Sequence, residues 1–490
     1  MSTETKEIDG RKTTQPSSPL SVRVAYYLSV ILPIVAYLLI AQVQYHGTIV
    51  KGSTPSGFAI AQLLLLLFPL TSSFLAVTGM LVFGPPRDRR PDENWHWNPD
   101  FQLIVAYVSR GNQPETLHQA TEQTQKVLDQ LGVNYELEMV TDIEVPEDHR
   151  LPHSNGQSRY YLVPAEYQTK RGARFKARAL QYLLEERTKR LNGEEDHHNI
   201  WLLHMDEESV LTPECVLGIL EFISKHDLRT SPGAIGQGEI KYNSRDYGIQ
   251  PLIAAIDAGR TGGDLGLFRT QYRAAHSPLV GMHGSYVLTP ARIEREITWD
   301  VGGHGSVTED SYFALMAMQR GIPFGWVEGY IREQSPFTIM DIIRQRRRWF
   351  CGLSFVARDP ALNFFTTLTL RLYVWFWAFA ALSLPLPLLY LAFVFTFGSG
   401  LLPYWLFMMA AICTGFYAAS YSVGVFRNIL DCKIPGRRKI GVVLTAIVAW
   451  FFFVPAIVEC AGTIYGIFFP VTTFYVVAKD HKRGVAVTSQ

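Results

Sequence analysis

The stretch Trp201-Leu-Leu-His-Met-Asp-Glu-Glu-Ser209 decides how the rest of the chain is read. A hydrophobic strand ends there in three consecutive acids, and in open α/β sheets ligands bind at the carboxyl ends of strands. Side chains alternate along extended backbone, so Asp206 and Glu208 point to one side and Glu207 to the other. Two hard oxygen ligands one residue apart suit Mg²⁺ or Mn²⁺, which keeps waters and bridges to substrate phosphates. An exposed acidic turn capping the helix after Pro213 accounts for the same residues equally well, so the flanking sequence has to choose.

Working outward, short apolar runs (Leu103–Val108, Tyr135–Val140, Asn199–Met205) alternate with helical stretches such as Glu115–Leu131 and Ala173–Arg190. This alternation argues for βαβ units and a mostly parallel sheet, in an α/β domain over about residues 94–335. Downstream, Val307-Thr-Glu-Asp-Ser311 follows the glycine-rich Gly302-Gly-His-Gly305. The acids there serve either as ordinary N-terminal residues of a helix or as a general base that takes the proton of an attacking hydroxyl. Gln345-Arg-Arg-Arg-Trp349 comes next, after the apolar-periodic Phe337–Ile343. An amphipathic interfacial helix over about 336–360 fits it. Its arginines suit phosphate oxygens and its indole suits a sugar face.

The composition places this domain in a membrane setting. Of 490 residues, 48% are hydrophobic and only 18% charged, which suggests that part of the chain lies in lipid. The net charge of +1 argues against a nucleic-acid partner, which would call for a basic face. Five scattered cysteines lack disulfide or zinc spacing and read as reduced thiols. Residues 1–20 read as a disordered tail, and two crossings fall in 21–84. About four more are expected in 370–478, before a tail at 479–490, with five crossings in all as the alternative. Leu372–Phe426 is split near Gly398-Ser399-Gly400, and Arg427 opens a basic loop through Lys439. Ile440–Ala478 carries one acid, Glu459; at 1.5 Å per residue it is about 58 Å of helix, roughly twice a bilayer core. It reads as a helical pair broken near Pro455–Glu459, or as one crossing plus an interfacial segment. Positive charge before the first helix puts the N-terminus and the α/β domain in the cytosol.

The order and spacing of these signals resemble the membrane-bound inverting glycosyltransferases of family 2. The resemblance covers roughly residues 100–360 and implies a GT-A fold, a nucleotide-sugar donor, a divalent cation (Mn²⁺ or Mg²⁺) and direct displacement without a covalent intermediate. It places Asp206 and Glu208 at the DxD metal pair, although the family usually has Asp at the second position. Asp310 matches the catalytic base, with Glu309 beside it. Asp142, Lys176, Gln345, Arg348 and Trp349 match donor-side residues, and Ser109, Arg110 and Glu207 are expected with them. His283, Gly284 and Ser285 match the acceptor side, which Trp349 shares. Phe474–Lys479 looks like the segment after the family's last helix.

A closer similarity is to egghead-type β-1,4-mannosyltransferases. It rests on His204-x-Asp-Glu-Glu-Ser209, Gly236-Gln-Gly238, His283-Gly-Ser-Tyr-Val-x-Thr289, Ser306-Val-x-Glu-Asp310 and Ser335-Pro-Phe-Thr338 before Gln345-Arg-x-Arg-Trp349. That similarity implies mannose transfer from GDP-mannose to a lipid-linked or short saccharide acceptor. It also implies an integral protein of the endomembrane system (ER/Golgi) or plasma membrane, in contact with membrane lipids. A processive polysaccharide synthase shares every catalytic motif and stays open as the alternative. An inactive scaffold or a transporter using Glu459 is the second.

Overall fold

The alternating apolar runs assemble into one seven-stranded sheet. The structure, a computed structural model, describes residues 20–47, 57–88, 101–150, 158–193, 199–243, 247, 249–383, 404–430, 432, 439–451 and 453–471. The tail before Leu20, the Gly398–Gly400 split, most of the basic loop and Phe474–Lys479 lie outside these residues. The strands are β1 (Gln102–Ser109), β2 (Tyr135–Thr141), β3 (Ser158–Leu162), β4 (Ile200–Asp206), β5 (Ile235–Lys241), β6 (Val287–Pro290) and β7 (Phe324–Arg332). Their order is β3-β2-β1-β4-β6-β5-β7, and within it β6 alone runs antiparallel to its neighbours. β1 and β4 read as continuous apolar runs because both faces of a parallel sheet are covered. Their pairing sets Val108 opposite Asp206, so the carboxyl ends of both strands open on one edge. This is the α/β, mostly parallel architecture that the sequence leads one to expect.

Helices α1 (Leu20–Gly47) and α2 (Gly57–Phe83) precede the sheet. Within and after it come α3 (Pro114–Gln130), α4 (Phe175–Leu191), α5 (Pro213–Lys225), α6 (Pro251–Gly263), α7 (Ala291–Ile297), the single turn α8 (Gly302–Gly305), α9 (Glu309–Gln319) and α10 (Ile339–Val356). Then follow α11 (Phe364–Ser383), α12 (Tyr404–Leu430), α13 (Lys439–Trp450) and α14 (Phe453–Phe468). Among the described residues three helices, Leu20–Val43, Phe364–Ser383 and Met408–Leu430, are long and apolar enough to cross a membrane, and a fourth span results if the bent pair α13–α14 counts as one. They leave large apolar side chains such as Leu39, Val43, Phe365 and Trp375 exposed, as lipid-facing helices do and soluble ones rarely do.

The two parts share one core. Val108 and Val140 of the sheet, Leu180 of α4, Tyr26 and Met80 of α1 and α2, and Val423 of α12 belong to a single buried apolar cluster. Between them lie α6 and two π-helical turns at Asp264–Phe268 and Gln271–Ala275. Glycines let these backbones meet. A Cβ on Gly262 would run into the Ser420 carbonyl, and one on Gly424 into that of Ala258. One on Gly462 of α14 would lie 2.6 Å from Arg346 Cβ in α10. Nothing in the sequence reading singled out α6 as a docking element.

Three expectations are corrected. Arg427 belongs to no loop: it sits inside α12, 1% exposed, and binds Asp88 (2.7 and 2.9 Å) and Glu239 (2.6 and 2.9 Å). The last apolar stretch breaks at Trp450–Phe453, ahead of Pro455; Pro455 lies in the first turn of α14, where a missing N–H costs no intrahelical bond. The acids after Met205 do not cap α5, because Thr212 does so by accepting the Cys215 N–H at 3.1 Å.

Candidate functional site

A cavity of about 440 Å³ opens at the carboxyl end of β4. Its wall takes Asp206 from the last position of β4 and Glu208 from the turn after it, Lys176 from the start of α4, His283, Gly284 and Ser285 from the segment before β6, Glu309 and Asp310 from the start of α9, and Gln345, Arg348 and Trp349 from α10. These eleven residues, spread over 174 positions of the chain (176 to 349), are all candidates named from the sequence. Ser109, Arg110, Asp142 and Glu207 are not part of that wall. They lie at the ends of β1, β2 and β4. Glu207 is buried and accepts hydrogen bonds from Ser109 Oγ and from Gln113 Nε2 (2.5 Å), and it is absent from the wall that Asp206 and Glu208 share. The alternation expected from extended chain does not produce this: β4 ends at Asp206, and a turn closed by the Ser209 N–H on the Asp206 carbonyl (3.0 Å) carries Glu207 and Glu208. Asp142 accepts from Arg178 at 2.7 Å.

Backbone strain accompanies two of the wall residues. Phe175, next to Lys176, has φ 54°, and Tyr286, next to Ser285, has φ 59°. Bulky residues pay about 1–3 kcal/mol in this left-handed region, and such residues cluster at functional sites. Gly284 keeps the middle of the site open: a Cβ there would lie 3.1 Å from Asp310 Oδ2 and 3.2 Å from Lys176 Nζ.

Lys176 is the electrostatic hub. Its Nζ donates to the Asp206 carboxylate and to the Gly284 carbonyl (2.7 Å), and Glu309 Oε1 is 3.7 Å away. Burial disfavours its charge, but Asp206, Glu309 and Asp310 together outweigh that and hold its pKa above the ordinary lysine value. Asp310 goes the other way for a carboxylate. Desolvation and the neighbouring Glu309 charge push it up to about 7, against the Ser311 N–H (2.6 Å), Lys176 and Arg348. Arg348 is lowered by burial, although Glu309, Asp310 and Asp206 hold it up; its Nη1 donates to the Val307 carbonyl at 3.2 Å. Thr308 is the N-cap of α9 but makes no side-chain cap bond. Glu309 and Asp310 in the first turn line the cavity.

Buried hydrogen bonds fix the wall from behind. Ser285 Oγ accepts the Asp206 N–H (3.2 Å) and lies 2.8 Å from Ser209 Oγ, which donates to Glu333 Oε1 at 2.9 Å. Gln237 donates to the carbonyls of His283 (3.0 Å) and Ser285 (3.2 Å) and accepts the His283 N–H (3.0 Å). His283 itself pairs with the buried Asp264 at 2.6 Å and stacks on Phe268 at 4.3 Å. The Arg260 and Arg346 guanidinium groups lie 4.6 Å and 4.4 Å from the Trp349 ring. The sequence reading missed Glu333 and Asp264. Arg346 reads from the sequence only as one of the arginines of Gln345–Trp349, and Gln237 had a signal in Gly236-Gln-Gly238.

Among the described residues no three His, Cys, Asp or Glu side chains form a ready-made metal cage. Asp206 and Glu208 nonetheless offer two carboxylates to one cavity wall. That sparse oxygen set fits a cation completing its shell with water and substrate phosphate.

Residues 201–421 match the family model described as Glycosyl transferase family group 2. The chain is 37% identical over 256 residues to Beta-1,4-mannosyltransferase bre-3 of Caenorhabditis briggsae and of Caenorhabditis elegans, covering 51% of this chain and 52% of each relative. It is 35% identical over 272 residues to Beta-1,4-mannosyltransferase egh of Drosophila melanogaster, 55% of either chain. The chain thus spans about half the length of the curated relatives it matches. Among solved structures it resembles the mannosyltransferase PcManGT from Pyrobaculum calidifontis in complex with GDP-Man and Mn²⁺, at 13% identity and a TM-score of 0.40, covering 83% of this chain and 100% of that one.

Proposed function

We propose that the protein is a membrane-embedded, inverting β-mannosyltransferase that moves mannose from GDP-mannose onto a lipid-linked or short saccharide acceptor at the cytosolic membrane face. The observation that carries this reading is Asp310. It is a carboxylate raised to about 7, facing a cavity that also holds Lys176, Asp206 and Glu208 and that extends to the apolar helices. The similarity to the β-1,4-mannosyltransferases supports the choice of sugar.

In this reading Asp310 accepts the proton of the acceptor hydroxyl while that oxygen attacks the anomeric carbon. The bond from that carbon to the diphosphate oxygen breaks, and the diphosphate leaves with the electron pair, which inverts the centre. Lys176 and Arg348 face the charge that develops on the leaving group. Asp206 and Glu208 would hold a divalent cation, Mn²⁺ or Mg²⁺, whose chemistry is to neutralise that same charge. Ser109, Arg110, Asp142 and Glu207 would border the nucleoside, and Gln345 and Trp349 would close the sugar end. His283, Gly284 and Ser285 would border the acceptor. The raised Asp310 also supports an active enzyme over an inert scaffold, since such a group costs stability unless it works.

Nucleotide-sugar turnover by the protein purified in detergent, with Mn²⁺ or Mg²⁺, tests the proposal. GDP-mannose turnover with a short product is expected, abolished by a chelator. Turnover of a UDP-sugar alone would overturn the choice of donor, and a ladder of long polymer would overturn limited transfer.

A further inference from the structure

We propose that Arg87, Arg269 and Arg273, with the indole N–H of Trp326, bind the phosphate group of an anionic membrane lipid at the end of α2. None of these four residues lines the cavity described above, and the site does not depend on the transferase reading. α2 ends at Phe83, and the chain turns at Gly84, whose φ is 64°. Arg269 stands between the two π-helical turns and Arg273 within the second. Their guanidinium groups lie 5.8 and 5.7 Å from the Phe83 ring.

Arg269 is 1% exposed. Its Nη1 donates to the Gly84 carbonyl at 2.6 Å, and its Nη2 lies 3.9 Å from Glu328 Oε1. Arg273 donates to that same carboxylate oxygen, and the Arg87 backbone N–H donates to the other at 3.2 Å. Glu328 thus holds three arginine residues together. Glu221, whose charge also reaches Arg273, is paired with Lys225 at 2.6 Å. The adjoining cluster of Arg427 with Glu239 and Asp88 adds one cation and two carboxylates. The arginines still outnumber the carboxylates, four to three. Burial, with the neighbouring arginines, holds Arg269 and Arg273 down to about 10, so both are cations in a place that disfavours them.

Two buried donors at this spot have no acceptor among the described residues. They are Arg269 Nε and Nε1 of Trp326, which is 8% exposed, and the Arg269 guanidinium carbon is 5.9 Å from that indole ring. A buried donor without an acceptor is costly. Here two lie together where positive charge is in surplus. A water molecule could accept from them but would leave the charge in place. A phosphate supplies both the acceptor oxygens and the negative charge, and guanidinium groups match its geometry. The surroundings favour a lipid over a free ion. Leu81 and Val82, just before Gly84, are 39% and 70% exposed, an apolar face along which acyl chains can lie. Arg87 is exposed beyond them, and basic pockets at the ends of membrane helices are where anionic headgroups bind.

The test titrates the full chain, purified in detergent, with dioctanoyl phosphatidic acid, dioctanoylglycerol and inorganic phosphate, reading each affinity by thermophoresis. Phosphatidic acid is expected to bind saturably. Arg273→Gln should weaken it about tenfold, the loss of one charge-assisted hydrogen bond. Trp326→Phe, which keeps a ring and removes only the N–H, should weaken it about fivefold. Arg159→Gln is the control for net charge, because Arg159 lies on β3, at the opposite edge of the sheet from β7 and Trp326; its affinity should equal the wild type's. Wild-type affinity in both Arg273→Gln and Trp326→Phe would overturn the site, and if Arg273→Gln does not fold, Trp326→Phe decides alone. An equal loss in Arg159→Gln would also overturn it, since the attraction would then be to overall charge. Dioctanoylglycerol binding as tightly as phosphatidic acid would show a groove that reads acyl chains and not phosphate. Inorganic phosphate competing at equal concentration would overturn the assignment to a lipid.

Discussion

A general base works best when its pKa lies near the working pH, and burial beside Glu309 brings Asp310 up to about 7. Only its deprotonated form takes the acceptor proton. The acceptor kcat/KM should therefore rise with pH through about 7 and level off above it, and a lower limb breaking near pH 4 would remove Asp310 from the role. Asp310→Asn should lower transfer by about 10²–10⁴-fold, the usual worth of such a base, with donor binding retained in a GDP-mannose titration. The same shift has a sign for stability. The folded pKa lies above the ordinary 3.8, so the native state holds the proton more tightly. The stability that this provides is complete below about pH 4 and is lost as pH rises through about 7. Asp310→Asn should thus raise the Tm at pH 8 and leave it unchanged at pH 4. A variant that loses activity while gaining stability is the signature of a working residue rather than a structural one.

At the scale of elements, the site depends on helices that approach more closely than side chains allow. α6 meets α12 where Gly262 faces the Ser420 carbonyl and Gly424 faces that of Ala258. α10 meets α14 where Gly462 faces Arg346. These contacts bring Arg260 of α6 and Arg346 of α10 within 4.6 Å and 4.4 Å of the Trp349 ring. Gly262→Leu should lower thermal stability in detergent by about 1–3 kcal/mol, the cost of overpacking, and should lower transfer with it. Gly263→Ala is the matched control, because a Cβ there meets nothing within 4 Å. Equal stability of the two variants would show that this helix contact does not govern the assembly.

Across the whole molecule, ion clusters pin the α/β domain to the apolar helices. Arg427 of α12 joins Glu239 of β5 to Asp88 of the α2–β1 connection, contacts that bridge 188 and 339 positions. Replacing Arg427 with Met would leave Glu239, 0% exposed, buried without its countercharge. Breaking such a pair from one side typically costs about 3–5 kcal/mol. Arg427→Met should accordingly destabilise the full chain, and adding Glu239→Gln should recover part of the loss. A second substitution that only deepens the loss would show that the cluster acts by packing rather than charge. With one apolar core running from Val140 through Met80 to Val423, the domain and the helices form a single structural unit.

Features carried by neighbouring residues were legible in the sequence: the apolar runs of β1, β2 and β4, the acids at the end of β4, the Glu309–Asp310 helix start and the Gln345–Trp349 stretch. Periodicity and short spacing record the local backbone, so such features need no partner to be recognised. Glu333 behind Ser209, Asp264 behind His283, and Arg427 between Asp88 and Glu239 left no such mark, nor did the pairing of Arg346 with Asp257 and Glu459. Each is an ordinary charged residue whose meaning depends on a partner across the fold, and local pattern holds no record of that distance. The stretch Trp201–Ser209 shows the division well. The chain alone determined that three acids follow an apolar strand. Only the tertiary structure decided that a turn after Asp206 puts Asp206 and Glu208 on a cavity wall with Lys176 and Asp310, because that wall is packed from segments as far apart in the chain as Lys176 and Trp349.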